Sequence, residues 1–119
     1  LRGIIAQRWV RRICASCCRP AAVRAELREA CGAGVEDAFF EGAGCRACGG
    51  TGYDGRVLVC EIVGTTPELR ALVRANAGAA ELRKQMRRAG MTLFADSGLA
   101  LARAGETTLD EAREAASSR

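Results

Sequence analysis

Two Cys-x-x-Cys pairs, Cys14/Cys17 and Cys45/Cys48, are the residues of this chain best suited to chemistry. In each pair, two sulfurs from one tight turn can face the same point. Two pairs can then close a tetrahedron of thiolates around a soft divalent ion, a geometry to which zinc has no electronic objection. There is no histidine in the sequence, so a soft-metal site must be built from sulfur, with at most a carboxylate added. Four thiolates would fill the coordination shell and leave no position for water. The spacing therefore predicts a structural zinc ion rather than a catalytic one.

Three further cysteines complete the set of seven, an odd number that argues against a fully paired disulfide framework and for a reducing compartment. Cys18 directly follows Cys17 and leaves the register of the first pair open; the x-x spacing favours Cys17. Cys31 falls on an apolar helix stripe and Cys60 on a strand, where a thiol is most simply a small core hydrophobe. Arg8, Arg11, Arg12 and Arg19 crowd near the first pair. Four thiolates on one divalent ion carry a formal charge of about −2, and softening that charge is a sufficient role for them. The net charge of +4 is too mild to demand nucleic acid.

No other catalytic set is present. The sequence has no Gly-rich phosphate loop ending in Lys-Ser/Thr and no histidine base. Asp54 and Gly55 form good turn chemistry. No basic segment, apolar run and cleavage site opens the chain, and no apolar stretch is long enough to span a bilayer. Beginning at Leu1 within a patterned segment, the sequence reads as a piece of a longer protein.

The elements that must position the cysteines follow from periodicity. Leu1, Ile4, Ile5, Trp9 and Ile13 recur at helical spacing, predicting a helix over 1–13. A knuckle over 14–18 leads to Pro20 and a second helix over 21–31, stopped by Gly32 and Gly34. The Gly-rich run 49–55 predicts irregular backbone, and the β-branched run 57–63 a strand. Thr66 with Pro67 starts a helix that Gly78 breaks. Helices over 79–89 and 93–104 follow, ended by Gly90 and Gly105. Thr108 and Glu111 have capping-box spacing for a last helix, with the tail 115–119 expected to fray. The expected class is α+β: a small tetracysteine zinc module with a short β element, flanked by an N-terminal helix and a C-terminal helical bundle. The divisions fall at 1–13, 14–63 and 64–119.

The stretch Leu1-Arg-Gly-Ile-Ile-Ala-Gln-Arg-Trp-Val-Arg-Arg-Ile-Cys14 resembles the approach to the first Cys pair of the type II secretion and type IV pilus assembly ATPases. Cys45-Arg-Ala-Cys48-Gly-Gly-Thr-Gly-Tyr-Asp-Gly-Arg56 resembles their second pair and its continuation, with Glu61 in the strand beyond. Segments 81–91 and 96–111 resemble their helical tail. The resemblance covers nearly the whole chain. Departures are Cys60, where an aromatic is usual, the second helix, which carries Cys31 and is Ala-rich, and Met91-Thr92-Leu93, one residue short.

The resemblance implies the C-terminal region of a cytoplasmic hexameric ATPase held peripherally at the bacterial inner membrane through platform proteins. ATP and Mg2+ would be bound by the parent protein, through motifs upstream of this region. Residues 1–13 would then be the end of the ATPase core, 14–63 the zinc-binding module and 64–119 a helical C-terminal domain. This segment alone would not be an enzyme, and it would not bind nucleic acid. A loop held by zinc at one end and by a strand at the other could direct Arg56 toward the nucleotide, or Arg56 could merely cap a turn or pair with Asp54. Alternative readings of the cysteines are a zinc-ribbon nucleic-acid binder and a DnaJ-type chaperone zinc module. The first would want aromatic residues beside the metal, and the second a repeated Gly-flanked motif that the Cys14 pair lacks.

Overall fold

The computed structural model describes residues 3–117. In chain order the elements are β1 (Gly3–Ile13), β2 (Cys18–Pro20), α1 (Ala25–Cys31), β3 (Phe40–Gly42) and β4 (Tyr53–Gly64), then α2 (Pro67–Arg74), α3 (Ala79–Arg88), α4 (Phe94–Arg103) and α5 (Leu109–Ser117). The fold class is α+β, as expected. The N-terminal helix over 1–13 is not: that segment is strand β1, paired antiparallel with β4 in a long two-stranded ribbon. Leu1 of the expected helical stripe lies outside the described residues, as do Ser118 and Arg119 of the tail.

The ribbon explains why a strand wins. Val10 sits opposite Val57, and Arg8 opposite Val59, on the side that meets the helices. Val10 and Val59 are buried there with Phe94 and Ala115, and Ala6, Val57 and Leu101 pack against them. The inward Arg8 lays its guanidinium 4.2 Å from the centre of the Phe94 ring and donates to the Ala115 carbonyl. It thereby lays its stem among apolar neighbours while its guanidinium meets an aromatic face and a carbonyl. Between Arg11 and Ile13 the register shifts. This bulge returns Ile13 to the buried side and delivers Cys14 into the interior.

A second apolar cluster joins the module to the helices. Phe39, 1% exposed, meets Leu27 of α1 and Ala102, Leu109 and Ala112 of α4 and α5. Both clusters draw residues from either side of position 64, so the first 64 residues and the last two helices share their interior. The second helix begins at Ala25, later than the expected 21, because the preceding segment is extended: β2 pairs with β3 and Ala21 N donates to Phe39 O. The strand expected from 57 already begins at Tyr53, inside the Gly-rich run.

The caps of the tail follow their sequence signals. Thr66 accepts from Leu69 N at 3.1 Å with Pro67 leading α2. Gly78 precedes α3, and Gly90 and Gly105 follow α3 and α4. Thr108 Oγ1 accepts from Glu111 N at 3.2 Å, but the Glu111 carboxylate does not close the box. It instead takes the Arg11 backbone N–H at 2.8 Å and the Arg11 guanidinium at 3.1 Å.

Candidate metal centre

The turn after β1 carries Cys14 and Cys17, and the loop after β3 carries Cys45 and Cys48. Their four Sγ atoms lie within 4.8 Å of one another. Cys14 and Cys45 are 3.8 Å apart, Cys17 and Cys48 3.9 Å, and Cys45 and Cys48 3.7 Å. A disulfide would need about 2.05 Å. A tetrahedron with metal–sulfur bonds of about 2.3 Å has edges of about 3.8 Å. The spacing therefore fits four ligands about one ion, and the group could hold a metal ion such as zinc.

The surrounding backbone is arranged for negative sulfur. Gly44 N donates to Cys17 Sγ at 3.3 Å, and Cys45 N and Gly52 N each donate to Cys48 Sγ at 3.2 Å. Such N–H groups favour the thiolate over the thiol. Cys48 is accordingly drawn down to about 6, chiefly by the Cys45 N–H and against the opposing effect of burial. Cys17 is pushed up to about 12, chiefly by loss of solvent, which outweighs its bond from Gly44. A cation among the sulfurs would supply the charge compensation that Cys17 lacks.

Glycines make the two loops meet. Gly52 has φ +83° and faces Gly42 so closely that a Cβ on Gly42 would lie 2.0 Å from Gly52 O. Gly52 is itself a junction: its N–H reaches Cys48 Sγ, and its carbonyl accepts from Cys14 N at 2.9 Å. This one residue thus ties the two Cys pairs together.

Cys18, the alternative in the register, is exposed in β2 and outside the sulfur group. Cys31 packs against the Phe39 cluster, and Cys60 is half-buried on β4. Arg56 is exposed on β4, with its guanidinium carbon 5.6 Å from the centre of the Trp9 ring.

The network below the site went unread in the sequence. Tyr53 follows Gly52 directly; its hydroxyl lies 3.0 Å from Thr108 Oγ1, and its ring lies 4.0 Å from the Arg11 guanidinium carbon. Thr107 Oγ1 donates to Arg11 O at 2.7 Å and Ile13 N to Glu106 O at 3.0 Å. These bonds clamp the start of α5 to the base of the ribbon, next to the first ligand turn. The Thr-Gly-Tyr sequence was the available signal, but the hydroxyl partner of Tyr53 lies more than fifty residues away.

A family model described as "Type II/IV secretion system protein" matches residues 1–114. The chain belongs to this family. It is 36% identical over 117 residues to the type IV pilus assembly ATPase PilB of Thermus thermophilus, covering 93% of this chain and 13% of that protein. It is 38% identical over 117 residues to PilB of Myxococcus xanthus, covering 93% and 20%. It is 36% identical over 109 residues to the type II secretion system protein HxcR of Pseudomonas aeruginosa, covering 92% and 20%. The chain thus spans a fifth or less of the length of these three relatives. The family match runs through both Cys pairs, the ribbon and most of α5. It favours the secretion ATPase reading over the zinc-ribbon and chaperone alternatives.

Proposed function

We propose that this chain is the C-terminal region of a secretion-type ATPase that drives type II secretion or type IV pilus assembly, and that its four cysteines hold one structural zinc. The observation carrying this is the family match over 1–114 together with four sulfurs at tetrahedral spacing. Cys14, Cys17, Cys45 and Cys48 would hold the ion, which would cross-link two loops that little apolar packing holds. The protein's own groups then do the positioning. Gly44, Cys45 and Gly52 N–H groups hold the sulfurs, and Tyr53, Thr108, Arg11 and Glu111 carry that fixed geometry into α5.

In this reading 1–13 is the end of the ATPase core, entering as a strand, 14–63 is the zinc module and 64–119 the helical C-terminal domain. ATP and Mg2+ bind the parent protein elsewhere. Its neighbours are further copies in a homohexamer and platform proteins of the inner membrane, on the cytoplasmic side. Nucleic acid is not a partner. The absence of a helix long and apolar enough to cross a membrane, among the described residues, is compatible with docking through partners.

Arg56 is the residue assigned to the nucleotide side. It is exposed on the strand that follows the second ligand pair, and Trp9 backs its planar, permanently charged group. The test is Arg56→Ala in the full-length ATPase. Weaker nucleotide binding or slower turnover with unchanged zinc content supports the assignment. Unchanged kinetics would reduce Arg56 to a ribbon contact with Trp9.

A further inference from the structure

The positive charge of this chain is not spread over it. The α2–α3 hairpin, residues 67–91, carries Arg70, Arg74, Arg83, Lys84, Arg87 and Arg88 against only Glu68 and Glu81. That accounts for the whole net charge of +4, because the remainder holds twelve basic and twelve acidic residues. The same hairpin is poorly covered. α3 buries no residue fully, and Val73 on α2 is 59% exposed. Between the end of β4 and the two helices runs an open groove of about 400 Å3, lined by Val63, Leu69, Val73 and Met86 with Arg70 and Arg74.

We propose that this groove binds an acidic amphipathic helix of a partner protein. Its apolar floor runs between the end of β4 and α2, with Met86 of α3 completing the lining, and can take the apolar face of a further helix at i, i+3, i+4 and i+7 spacing. The arginines select a partner helix whose flanks carry Glu and Asp. They would hasten its encounter and fix its orientation, while the apolar floor supplies most of the affinity. Met86 is an adaptable lining residue for such a helix. A lipid surface fits less well. The hairpin has no Trp, Tyr or Phe to enter a headgroup layer.

The test uses the metal-loaded chain and a fluorescent helical peptide of about 20 residues with leucines at that spacing and glutamates elsewhere. Saturable binding is expected, weakening about tenfold or more between about 0.05 and 0.5 M salt as the Debye length shrinks. Arg70→Glu/Arg74→Glu should also weaken it about tenfold or more, with the circular dichroism spectrum unchanged. Val73→Asp, which puts a charge on the floor and leaves both arginines, should abolish it. The same peptide with lysines for glutamates should not bind. Five results would overturn the proposal, the first three being no binding of the acidic peptide, equal binding of the lysine peptide, and no loss of affinity in either variant. The fourth is binding to phosphatidylglycerol vesicles with none to the peptide. Binding to this chain but not to the full-length ATPase would show that the protein's own remaining chain fills the groove, and would overturn it as well.

Discussion

Gly42→Ala tests the site without touching a ligand. A Cβ at position 42 would lie 2.0 Å from Gly52 O and 2.6 Å from Gly52 C and Cα. All three are backbone atoms, so no side chain can swing away, and the loop carrying Gly52 must retreat by about 1 Å or more to reach ordinary contact. That displacement pulls Gly52 N from Cys48 Sγ, now 3.2 Å, and Gly52 O from Cys14 N, now 2.9 Å. A bond to a charged sulfur contributes about 1.5–3 kcal/mol and a neutral backbone bond about 0.5–1.5 kcal/mol. Losing both costs about 2–4.5 kcal/mol, so metal affinity should fall about 30- to 2,000-fold. Competition against a chromogenic zinc chelator reads this directly. Gly78→Ala is the control, since a Cβ there meets nothing within 4 Å and its φ is ordinary; its affinity should be unchanged. A Gly42→Ala protein with wild-type affinity would refute the claim that the close approach of the two loops sets the site.

Cys14→Ser should release the metal and destabilise the fold far more than Cys31→Ser or Cys60→Ser, which remove only packing contacts of roughly 0.5–3 kcal/mol; Cys18→Ser should retain full metal content, and a severe loss there with a mild one at Cys17 would move the ligand by one residue. Phe39→Ala should cost about 3–5 kcal/mol, because this ring joins α1 to α4 and α5; a loss below about 1 kcal/mol in urea denaturation of the metal-loaded protein would contradict the shared core. The Asp37 carboxyl is held below its usual range, first by the Arg103 guanidinium at 2.8 Å and then by the Gly34 N–H. Its contribution is therefore present above the unfolded value of about 3.9 and is lost as pH falls through the lower folded value. Asp37→Asn should flatten that part of the acid stability profile, and an unaltered profile would count against the pair.

The convergence of the four cysteines was the most legible part, because Cys-x-x-Cys spacing constrains sulfurs locally whatever the surrounding topology. The caps at Thr66 and Thr108 were legible for the same reason: each is settled within three residues. β1 was not. Its true alternation places Ala6, Arg8 and Val10 inward, and an arginine in the middle of an inward face disguises the period of two. Phe94 and the Ala115 carbonyl, which make that arginine tolerable, come from the far end of the chain. Meanwhile Ile4, Ile5, Trp9 and Ile13 happen to satisfy helical spacing, and the bulge before Ile13 breaks the strand pattern where it would have been clearest. Glu111 shows the same limit on a smaller scale. Its spacing from Thr108 was read locally, while its carboxylate serves Arg11, one hundred positions away. The β2–β3 pairing offers three residues per strand, too few for any period to register.

Metal content together with ligand identity decides whether the four cysteines hold a structural zinc. Purified, reduced and folded protein should contain one zinc per chain by elemental analysis. X-ray absorption should show sulfur neighbours alone, at about 2.3 Å. A folded, reduced chain with no metal, or a zinc ion with oxygen or nitrogen in its coordination shell, would contradict the account.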